Sequence, residues 1–329
     1  MIGKLLASAV AALTFAMAAP LQAQAQGQDY PNHLIKIYQG FPPGGNVDLI
    51  ARILGAEMEK SLGQSIVVEA KPGLAGALAA ETVARSDPDG YTLLVVPSAH
   101  PAYGALAKNV KFKVVDDFTW ISVASFYPFM IAVKADSRFK TIKQLLDEAK
   151  AKPGELKYGS AGVGSSAHLG CVMLEQAIGA KFQHVPYRGT GPAMQDLIAG
   201  RIDFLCDIAV TAVQAIGNGN VKALANLSST RSPVLPDLPT AAEKGLPTVA
   251  AYTWAALFVP KNTPEPVVTK LNSAVLTAMD GKGLREQLES VAATMVAPER
   301  RTPAYAATFV KSEWDKWGAA IRAGGAIPQ

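Results

Sequence analysis

Patterns typical of strands and helices alternate along this chain, and the alternation limits the fold more than any other feature of the sequence. After a first apolar strand, six apolar side chains recur at helical spacing: Val47, Ile50, Ala51, Leu54, Met58 and Leu62. This first run predicts strands at 34–39, 65–69 and 91–96 and helices at 46–61 and 74–85. Strands and helices that alternate with short connections are typical of a parallel sheet covered by helices, so the predicted fold class is α/β.

A second run of the same kind begins after a less regular stretch at residues 116–135. It predicts strands at 156–160, 182–187, 202–207 and 221–227 and helices at 141–151, 165–178, 192–199 and 209–217. Residues 231–247 hold four of the 22 prolines, so they are predicted to form a connection. The chain closes with a predicted strand at 254–260 and helical patterns at 264–279, 283–291 and 302–321.

Two α/β units in succession predict two lobes, because 329 residues are many for a single hydrophobic core. The final helices follow the second unit, and we expect them to return to the first lobe. Two segments would then cross between the lobes, near residues 127 and 251. We therefore expect lobe one to comprise residues 26–127 and 251–329, and lobe two residues 128–250.

Residues 1–25 have the parts of a secretory signal peptide. Lys4 supplies a positive charge, residues 5–19 form an apolar core, and a Gln/Ala stretch with small residues follows. The core is shorter than the roughly 20 residues of a membrane span. A buried N-terminal helix is the alternative, whereas a lipoprotein is disfavoured because no cysteine lies near the cleavage region. We expect export to a bacterial periplasm, with a soluble mature chain, since no other segment is apolar for 18 residues.

The charge balance does not favour a nucleic-acid partner. Lysine and arginine total 31 against 27 aspartates and glutamates, which gives a formal net charge of +4. The even balance therefore selects no charged polymer.

The two cysteines, Cys171 and Cys206, leave two interpretations open. An oxidising compartment permits a disulfide between them, provided that their Cα atoms approach within about 7 Å. Alternatively, both are small buried hydrophobic residues.

Ligands of an open α/β sheet bind beyond the carboxyl ends of the strands, where loops and helix N-termini converge. The loop at 40–48 reads GFPPGGNVD. Because Gly44 and Gly45 lack side chains, main-chain N–H groups there can approach a ligand, and Asn46 is suited to cap the next helix. The loop at 159–168, GSAGVGSSAH, repeats the pattern in the second unit. Helix N-termini favour anions, so one such loop from each lobe predicts a cleft for a carboxylate.

Three further strand-end loops are placed to face the same cleft: residues 97–100, 187–191 and 206–208. Several candidates also have a purely structural interpretation. Asp48 lies four residues before Arg52, so a helical ion pair accounts for both without a ligand. His100 and His168 fit structural histidines as well as ligand contacts, and Arg188 fits a solvated turn.

The sequence gives enzyme classes little support. It has no G-x-S-x-G, H-E-x-x-H or P-loop lysine, and its four histidines are not at metal-ligand spacing. Residues 162–167 (GVGSSA) resemble a dinucleotide fingerprint, and Arg188 ends the next strand, so an exported NADP-binding enzyme is one alternative. A periplasmic sensor that feeds a signalling receptor is another. We expect no catalytic residue, no cofactor and no metal.

Taken together, several motifs resemble the tripartite tricarboxylate transporter receptors, also called the Bug family. They are residues 41–52 (FPPGGNVDLIAR), 162–169 (GVGSSAHL), and 185–189 (VPYRG) followed by 196–203 (DLIAGRID). The resemblance extends from about residue 30 to the end of the chain. It implies a type II periplasmic-binding-protein fold, with two α/β lobes and a ligand cleft between them that closes like a Venus flytrap.

The resemblance also implies a ligand class and a partner. Family members bind dicarboxylates, tricarboxylates, acidic amino acids or aromatic acids through backbone amides, hydroxyls and water, and they serve a two-component membrane permease. We expect this chain to act as a monomer. The positions that match the family, together with His100 and Arg188 from the strand-end loops, give the predicted ligand-binding residues: Phe41, Gly44, Gly45, Asn46, Asp48, Ser98, His100, Ala161, Gly164, Ser165, Ser166, Tyr187, Arg188 and Asp207.

Two positions depart from the family pattern. Val47 stands where threonine is frequent, and Tyr103 stands where asparagine often follows the histidine of the 97–100 loop. Each replaces a small polar group by an apolar or aromatic one. We therefore hypothesise a ligand with an apolar body, such as an aromatic or longer-chain acid.

Overall fold

The structure, a computed structural model, describes residues 30–107, 110–228, 230–246 and 252–323. Within these ranges ten strands join into one hydrogen-bonded sheet that helices cover. None of the described helices has the length and hydropathy that a membrane span requires. The signal peptide expected at residues 1–25 lies outside the described part of the chain.

Lobe one begins with the predicted alternation of strands and helices. In chain order its elements are β1 (Ile35–Gln39), α1 (Asn46–Leu62), β2 (Ile66–Ala70), α2 (Ala77–Ala84), β3 (Thr92–Val96) and α3 (Ala99–Leu106). Strand β1 lies between β2 and β3 and runs parallel to both. Helix α1 ends at Gly63, which adopts the left-handed conformation that favours glycine at helix ends. Helix α2 starts later than predicted, because Leu74 and Ala75 have positive φ in a preceding 3₁₀ turn.

The stretch expected to be irregular at residues 116–135 is instead a 17-residue strand, β4 (Phe118–Lys134). Up to Pro128 it pairs with β9 (Tyr252–Pro260), and from Phe129 onward it pairs with strands of lobe two. Most of its residues on both faces are buried, so the strand lacks the apolar–polar alternation that marks a half-buried strand in a sequence.

Lobe two repeats the α/β arrangement. Its elements are α4 (Ile142–Ala151), β5 (Lys157–Ser160), α5 (Ser166–Ile178), β6 (Gln183–Pro186), α6 (Thr190–Ile198), β7 (Phe204–Ile208), α7 (Ala209–Gly217) and β8 (Val221–Asn226). Strand β5 is parallel to β6 and β7, whereas β4 is antiparallel to β7 and β8. The predicted α/β fold class is thus confirmed for both lobes.

The chain then returns to lobe one through β9, which lies antiparallel between β3 and β4. The remaining elements are α8 (Glu265–Asp280), α9 (Lys282–Ser290), β10 (Thr294–Met295) and α10 (Pro303–Ala323). Helix α8 packs on α1, and α10 packs on α3 and β4. The indole of Trp254 donates a 2.9 Å hydrogen bond to Glu313, which ties α10 to β9. The strand order of lobe one is therefore β2–β1–β3–β9–β4.

Cys171 of α5 and Cys206 of β7 form a disulfide, with 5.5 Å between their Cα atoms. Both side chains are fully buried. The structure therefore decides between the two interpretations that the sequence left open. The bond fastens α5, whose N-terminus faces the other lobe, to the sheet of lobe two.

Candidate ligand-binding site

A cavity of about 330 Å³ lies between the lobes, where strand-end loops from both meet; we call it the cleft cavity. Lobe one contributes residues 41–47, and lobe two contributes Ala161, residues 165–167 and residues 189–192. None of the described residues that line this cavity has a charged side chain. An ionic ligand there would have to be held by neutral dipoles.

Helices α1 of lobe one and α5 of lobe two begin at the cleft cavity, as does α6, whose first residue, Thr190, lines it. Asn46 is the first residue of α1, and Ser166 is the first residue of α5. Gly45 precedes α1 and supplies no side-chain cap, so first-turn N–H groups of that helix have no side-chain partner. Each helix N-terminus carries about half a positive charge. The two together favour an anion without any lysine or arginine.

The 40–48 loop is held in place by its own polar side chains. Gln39 Oε1 accepts a 2.8 Å hydrogen bond from Phe41 N, and Asp48 Oδ2 accepts one of 3.0 Å from Gly44 N. The guanidinium of Arg52 donates to both oxygens of Asp48, at 2.9 and 3.1 Å. Burial opposes ionisation of Asp48, but the hydrogen bonds from Arg52 and Gly44 outweigh it and lower the pKa of Asp48. Asp48 therefore positions the glycine loop.

The second glycine loop is organised by a cap and a histidine. Ser165 Oγ accepts a hydrogen bond from His168 N at 3.3 Å, and Gly164 N donates to His168 Nδ1 at 3.2 Å. His168 also stacks on His184, with 4.3 Å between ring centroids. Burial lowers the pKa of His168 to about 4, so its imidazole is neutral near pH 7 and can accept this bond. The loop conformation thus depends on a neutral histidine.

Three buried hydroxyl groups connect the lobes beside the cleft cavity. Ser98 at the end of β3 lies 3.0 Å from Ser166 of lobe two, measured between the Oγ atoms. Thr253 of β9 lies 2.9 Å from Ser98 and 3.2 Å from Ser166. All three residues are less than 5% exposed. This hydroxyl cluster is a direct polar contact between the two lobes.

The lobes also touch at Gly189 of lobe two and Pro42 of lobe one. A β carbon built on Gly189 would lie only 2.9 Å from Cγ of Pro42, so only a glycine fits this arrangement. A second cavity of about 830 Å³, which we call the side cavity, is also lined by Pro42 and Gly189. Tyr103 and Arg188 line the side cavity as well. The contact between Gly189 and Pro42 therefore lies between two parts of one cleft.

The structure brings half of the predicted site residues to the cleft cavity: Phe41, Gly44, Gly45, Asn46, Ala161, Ser165 and Ser166. Tyr187 and Arg188 line the side cavity. Asp48, Ser98, His100, Gly164 and Asp207 line neither cavity. Asp48 and Ser98 contact lining residues through the hydrogen bonds described above, whereas Gly164 donates to His168, which lines neither cavity.

His100 lies in the aromatic core of lobe one. Its Nε2 is 3.0 Å from the carbonyl oxygen of Val114, and its ring packs against Phe118 and Phe258. Burial lowers the pKa of His100 to about 4. These contacts fit the structural interpretation of this residue.

Asp207 lies behind the cleft wall. Its Oδ2 accepts a 2.7 Å hydrogen bond from the hydroxyl of Thr211, which does line the cleft cavity. Burial raises the pKa of Asp207 to about 7, and the bond from Thr211 offsets only part of that effect. Asp207 thus orients a lining residue.

Sequence reasoning missed the wall that helices α6 and α7 supply. Met194, Ile198 and Ala215 give that wall an apolar surface, with Thr211 among them. In the sequence these residues belong to ordinary helical stripes, which indicate core packing and carry no signal for a cavity. Thr253 was missed as well, because a strand pattern shows burial and does not show which side chain lies opposite.

Comparison with known proteins agrees with this geometry. The chain matches the tripartite tricarboxylate transporter family receptor over residues 50–326. It is 33% identical to protein BugT of Bordetella pertussis over 315 residues, which cover 95% of this chain and 94% of BugT. Solved structures share the fold as well. MatC from Rhodopseudomonas palustris with bound malate superposes with a TM-score of 0.84 at 36% identity, covering 89% of this chain and all of that one.

A second protein of R. palustris, Rpa4515 with adipate, has a TM-score of 0.86 at 27% identity and covers 92% of this chain and 100% of its own. The type II periplasmic-binding-protein fold that the sequence motifs implied is thus confirmed. The family is one of solute-binding receptors and not of enzymes. The chain therefore belongs to the tripartite tricarboxylate transporter receptor family, the family of the Bug solute-binding proteins.

Proposed function

We propose that this protein captures a small carboxylate in the cleft cavity, in the periplasm, and delivers it to a tripartite tricarboxylate-type membrane permease. One observation carries the proposal: the N-termini of α1 and α5, from opposite lobes, face a single cavity, and no charged residue of the described ranges lines it. Such a site selects anions through dipoles.

Neutral donors are sufficient for useful affinity. A hydrogen bond to a charged group contributes about 1.5–3 kcal/mol. Three or four such bonds supply roughly the 8 kcal/mol of a micromolar site, before the cost of association is subtracted. The N–H groups of both glycine loops therefore suffice for a carboxylate.

The apolar wall supports a ligand with an apolar body. Its carboxylate would lie at the glycine loops, and its body would run along Met194, Ile198 and Ala215. The two diacids named with the related structures, malate and adipate, differ in chain length. A dicarboxylate, tricarboxylate, acidic amino acid or aromatic acid is thus the class that we propose, with the longer and aromatic acids preferred.

Closure of the lobes would couple binding to delivery. We propose lobe one as residues 26–127 and 251–329 and lobe two as residues 128–250. The change of strand partners between Pro128 and Phe129 in β4 supports the first boundary. Closing traps the ligand and creates a surface composed of both lobes, which a permease can distinguish from the open form.

A thermal-shift screen followed by calorimetry tests the binding step. A ligand at 100 times its Kd stabilises the folded chain by about 2.7 kcal/mol, so a cognate acid should raise the melting temperature by several degrees. The uncharged amide of the same acid is the matched control and should have no effect. Equal stabilisation by acid and amide would contradict carboxylate recognition.

Uptake measurements test the delivery step. Cells that lack this protein should lose uptake of the radiolabelled acid and regain it when the full chain is restored. Export is checked in the same cells, because the periplasmic protein should have lost residues 1–25. Undiminished uptake in cells that lack the protein would contradict a transport role and favour a sensor.

A further inference from the structure

A third cavity, of about 650 Å³, lies in lobe two, and we call it the lysine pocket. Its described lining residues all belong to lobe two, and none of them lines the cleft cavity. The apolar part of the lining includes Ile216, Leu224, Leu235 and Leu238. The charged part consists of Lys140, Lys222 and Lys244 with one acidic residue, Asp237. The lysine pocket therefore joins an apolar surface to an excess of positive charge.

Two of these lysines converge on one atom without an acidic partner. The ammonium groups of Lys140 and Lys222 each donate a hydrogen bond of 3.1 Å to the carbonyl oxygen of Ser137. Neither lysine forms an ion pair with another described residue, and the nearby Asp136 binds Lys134 at 3.2 Å. Burial and the proximity of Lys140 lower the pKa of Lys222. An anion bound between the two ammonium groups would offset their repulsion.

The N-terminus of α4 adds to the positive potential of the lysine pocket. Thr141 caps this helix and Ile142 is its first residue, and both line the pocket. A helix N-terminus carries partial positive charge, which favours an anion in the same place as the lysines do. The charge and the apolar lining together suit an acidic side chain that has an apolar neighbour.

Helix α7 contributes lining residues to both the lysine pocket and the cleft cavity. Thr211 and Ala215 of this helix line the cleft cavity, whereas Ile216 lines the lysine pocket. A partner that docks in the pocket would therefore pack on the same helix as the ligand. The lysine pocket is thus placed where a partner can contact an element that a bound ligand also contacts.

We propose that the lysine pocket docks an acidic segment of the membrane permease, with a carboxylate between Lys140 and Lys222 and an apolar side chain beside it in the pocket. The inference rests on the proposed delivery to a permease and names the chemistry of that contact. An anionic membrane surface fits less well. Lipid-binding segments carry clusters of about four to eight basic residues, whereas this pocket is concave and combines three lysines with Asp237.

Uptake into spheroplasts measures the contact. Spheroplasts from cells that lack this protein are given purified receptor loaded with the radiolabelled acid that the thermal-shift screen identifies. Lys140→Gln combined with Lys222→Gln should raise the receptor concentration for half-maximal uptake roughly 5- to 30-fold, because two charge contacts are lost. Its affinity for the acid should not change. Added salt should weaken the wild-type contact more than that of the double variant.

Lys150→Gln combined with Lys152→Gln is the matched control, because it removes the same charge at the other end of α4. The control should change neither uptake nor affinity. If the first double variant has a lower melting temperature, Lys140→Gln alone serves as the test, since this side chain is exposed. It should raise the half-maximal concentration about 2- to 5-fold.

The remaining outcomes separate this inference from the proposed function. Wild-type half-maximal concentrations in the Lys140 and Lys222 variants would overturn the docking and leave delivery intact. If wild-type receptor supports no uptake, delivery fails, and the inference fails with it. Binding to protein-free phosphatidylglycerol vesicles that the double variant loses would assign the pocket to lipid headgroups. A second acid bound per chain, absent in the double variant, would make it a small-molecule site; either result overturns the docking of a permease segment.

Discussion

Gly189→Ala should prevent full closure of the cleft. The added β carbon would lie 2.9 Å from Cγ and 3.2 Å from Cδ of Pro42. Ordinary carbon–carbon contacts are about 3.5–4.0 Å, so the lobes or the loops must separate by roughly 0.6–1 Å. Pro42 lies in a rigid pair of prolines on a loop tied to Asp48, and it cannot yield as a flexible side chain would.

The substitution should raise the free energy of the closed form. Overpacking of this kind costs about 1–3 kcal/mol. If only the closed form holds the ligand, the affinity falls by roughly 5- to 150-fold. Gly189 also has a φ of 107°, so alanine adds backbone strain. Where this φ is kept in both the open and the closed form, the strain lowers the melting temperature without changing the affinity.

Calorimetry gives the affinity, and small-angle X-ray scattering at saturating ligand gives the radius of gyration. Gly154→Ala is the matched control, because Gly154 also has a positive φ, 80°, but has open space where a β carbon would lie. The control should lose stability and keep its affinity. Wild-type affinity together with wild-type compaction in Gly189→Ala would refute the idea that this contact belongs to the ligand-bound form.

Three further changes test the site from lobe two. Ser165→Ala combined with Ser166→Ala removes the cap of α5 and one hydroxyl of the interlobe cluster. Calorimetry should show weaker ligand binding, and the free energy of unfolding should fall by about 1 kcal/mol because the cap is lost. An unchanged affinity would remove this loop from the site. Replacing Cys171 and Cys206 by alanine opens a disulfide of sequence separation 35 and should lower the denaturant-derived unfolding free energy by about 3–4 kcal/mol, whereas an unchanged value would contradict the bond. The pKa of Asp207, about 7 in the folded chain and near 3.8 when unfolded, means that stability falls as the pH rises from about 4 to about 7. Asp207→Asn should therefore raise the melting temperature at pH 8 and change little at pH 4; a lower melting temperature at pH 8 would contradict this.

Helix boundaries follow from local signals, and so most of the fold was predictable. The apolar stripe from Val47 to Leu62 and the glycine after it locate α1 to within one residue. Strand β4 was not predictable in this way. It is the element shared by the two lobes, and burial on both of its faces leaves no alternation to detect. Pro128 also interrupts the strand pattern in the sequence. In the structure the strand continues past Pro128 and pairs with different strands from Phe129 onward.

The glycine loops were found because the strand-end rule depends only on topology. The roles of individual side chains depend on contacts between distant segments. Asp48 could be read as an ion-pair partner, since Arg52 is one helical turn away. The contact of Ser98 with Thr253 spans 155 residues, and no local pattern predicts it.

The most direct test is a crystal structure of the full mature protein with a calorimetrically identified acid bound. The central claim is that one carboxylate is held by main-chain N–H groups of both the 41–48 loop and the 161–166 loop. We expect carboxylate oxygens within hydrogen-bond distance of nitrogen atoms from both loops, with no lysine or arginine in contact. An acid that touches only one lobe, or that lies outside the cleft, would contradict the claim.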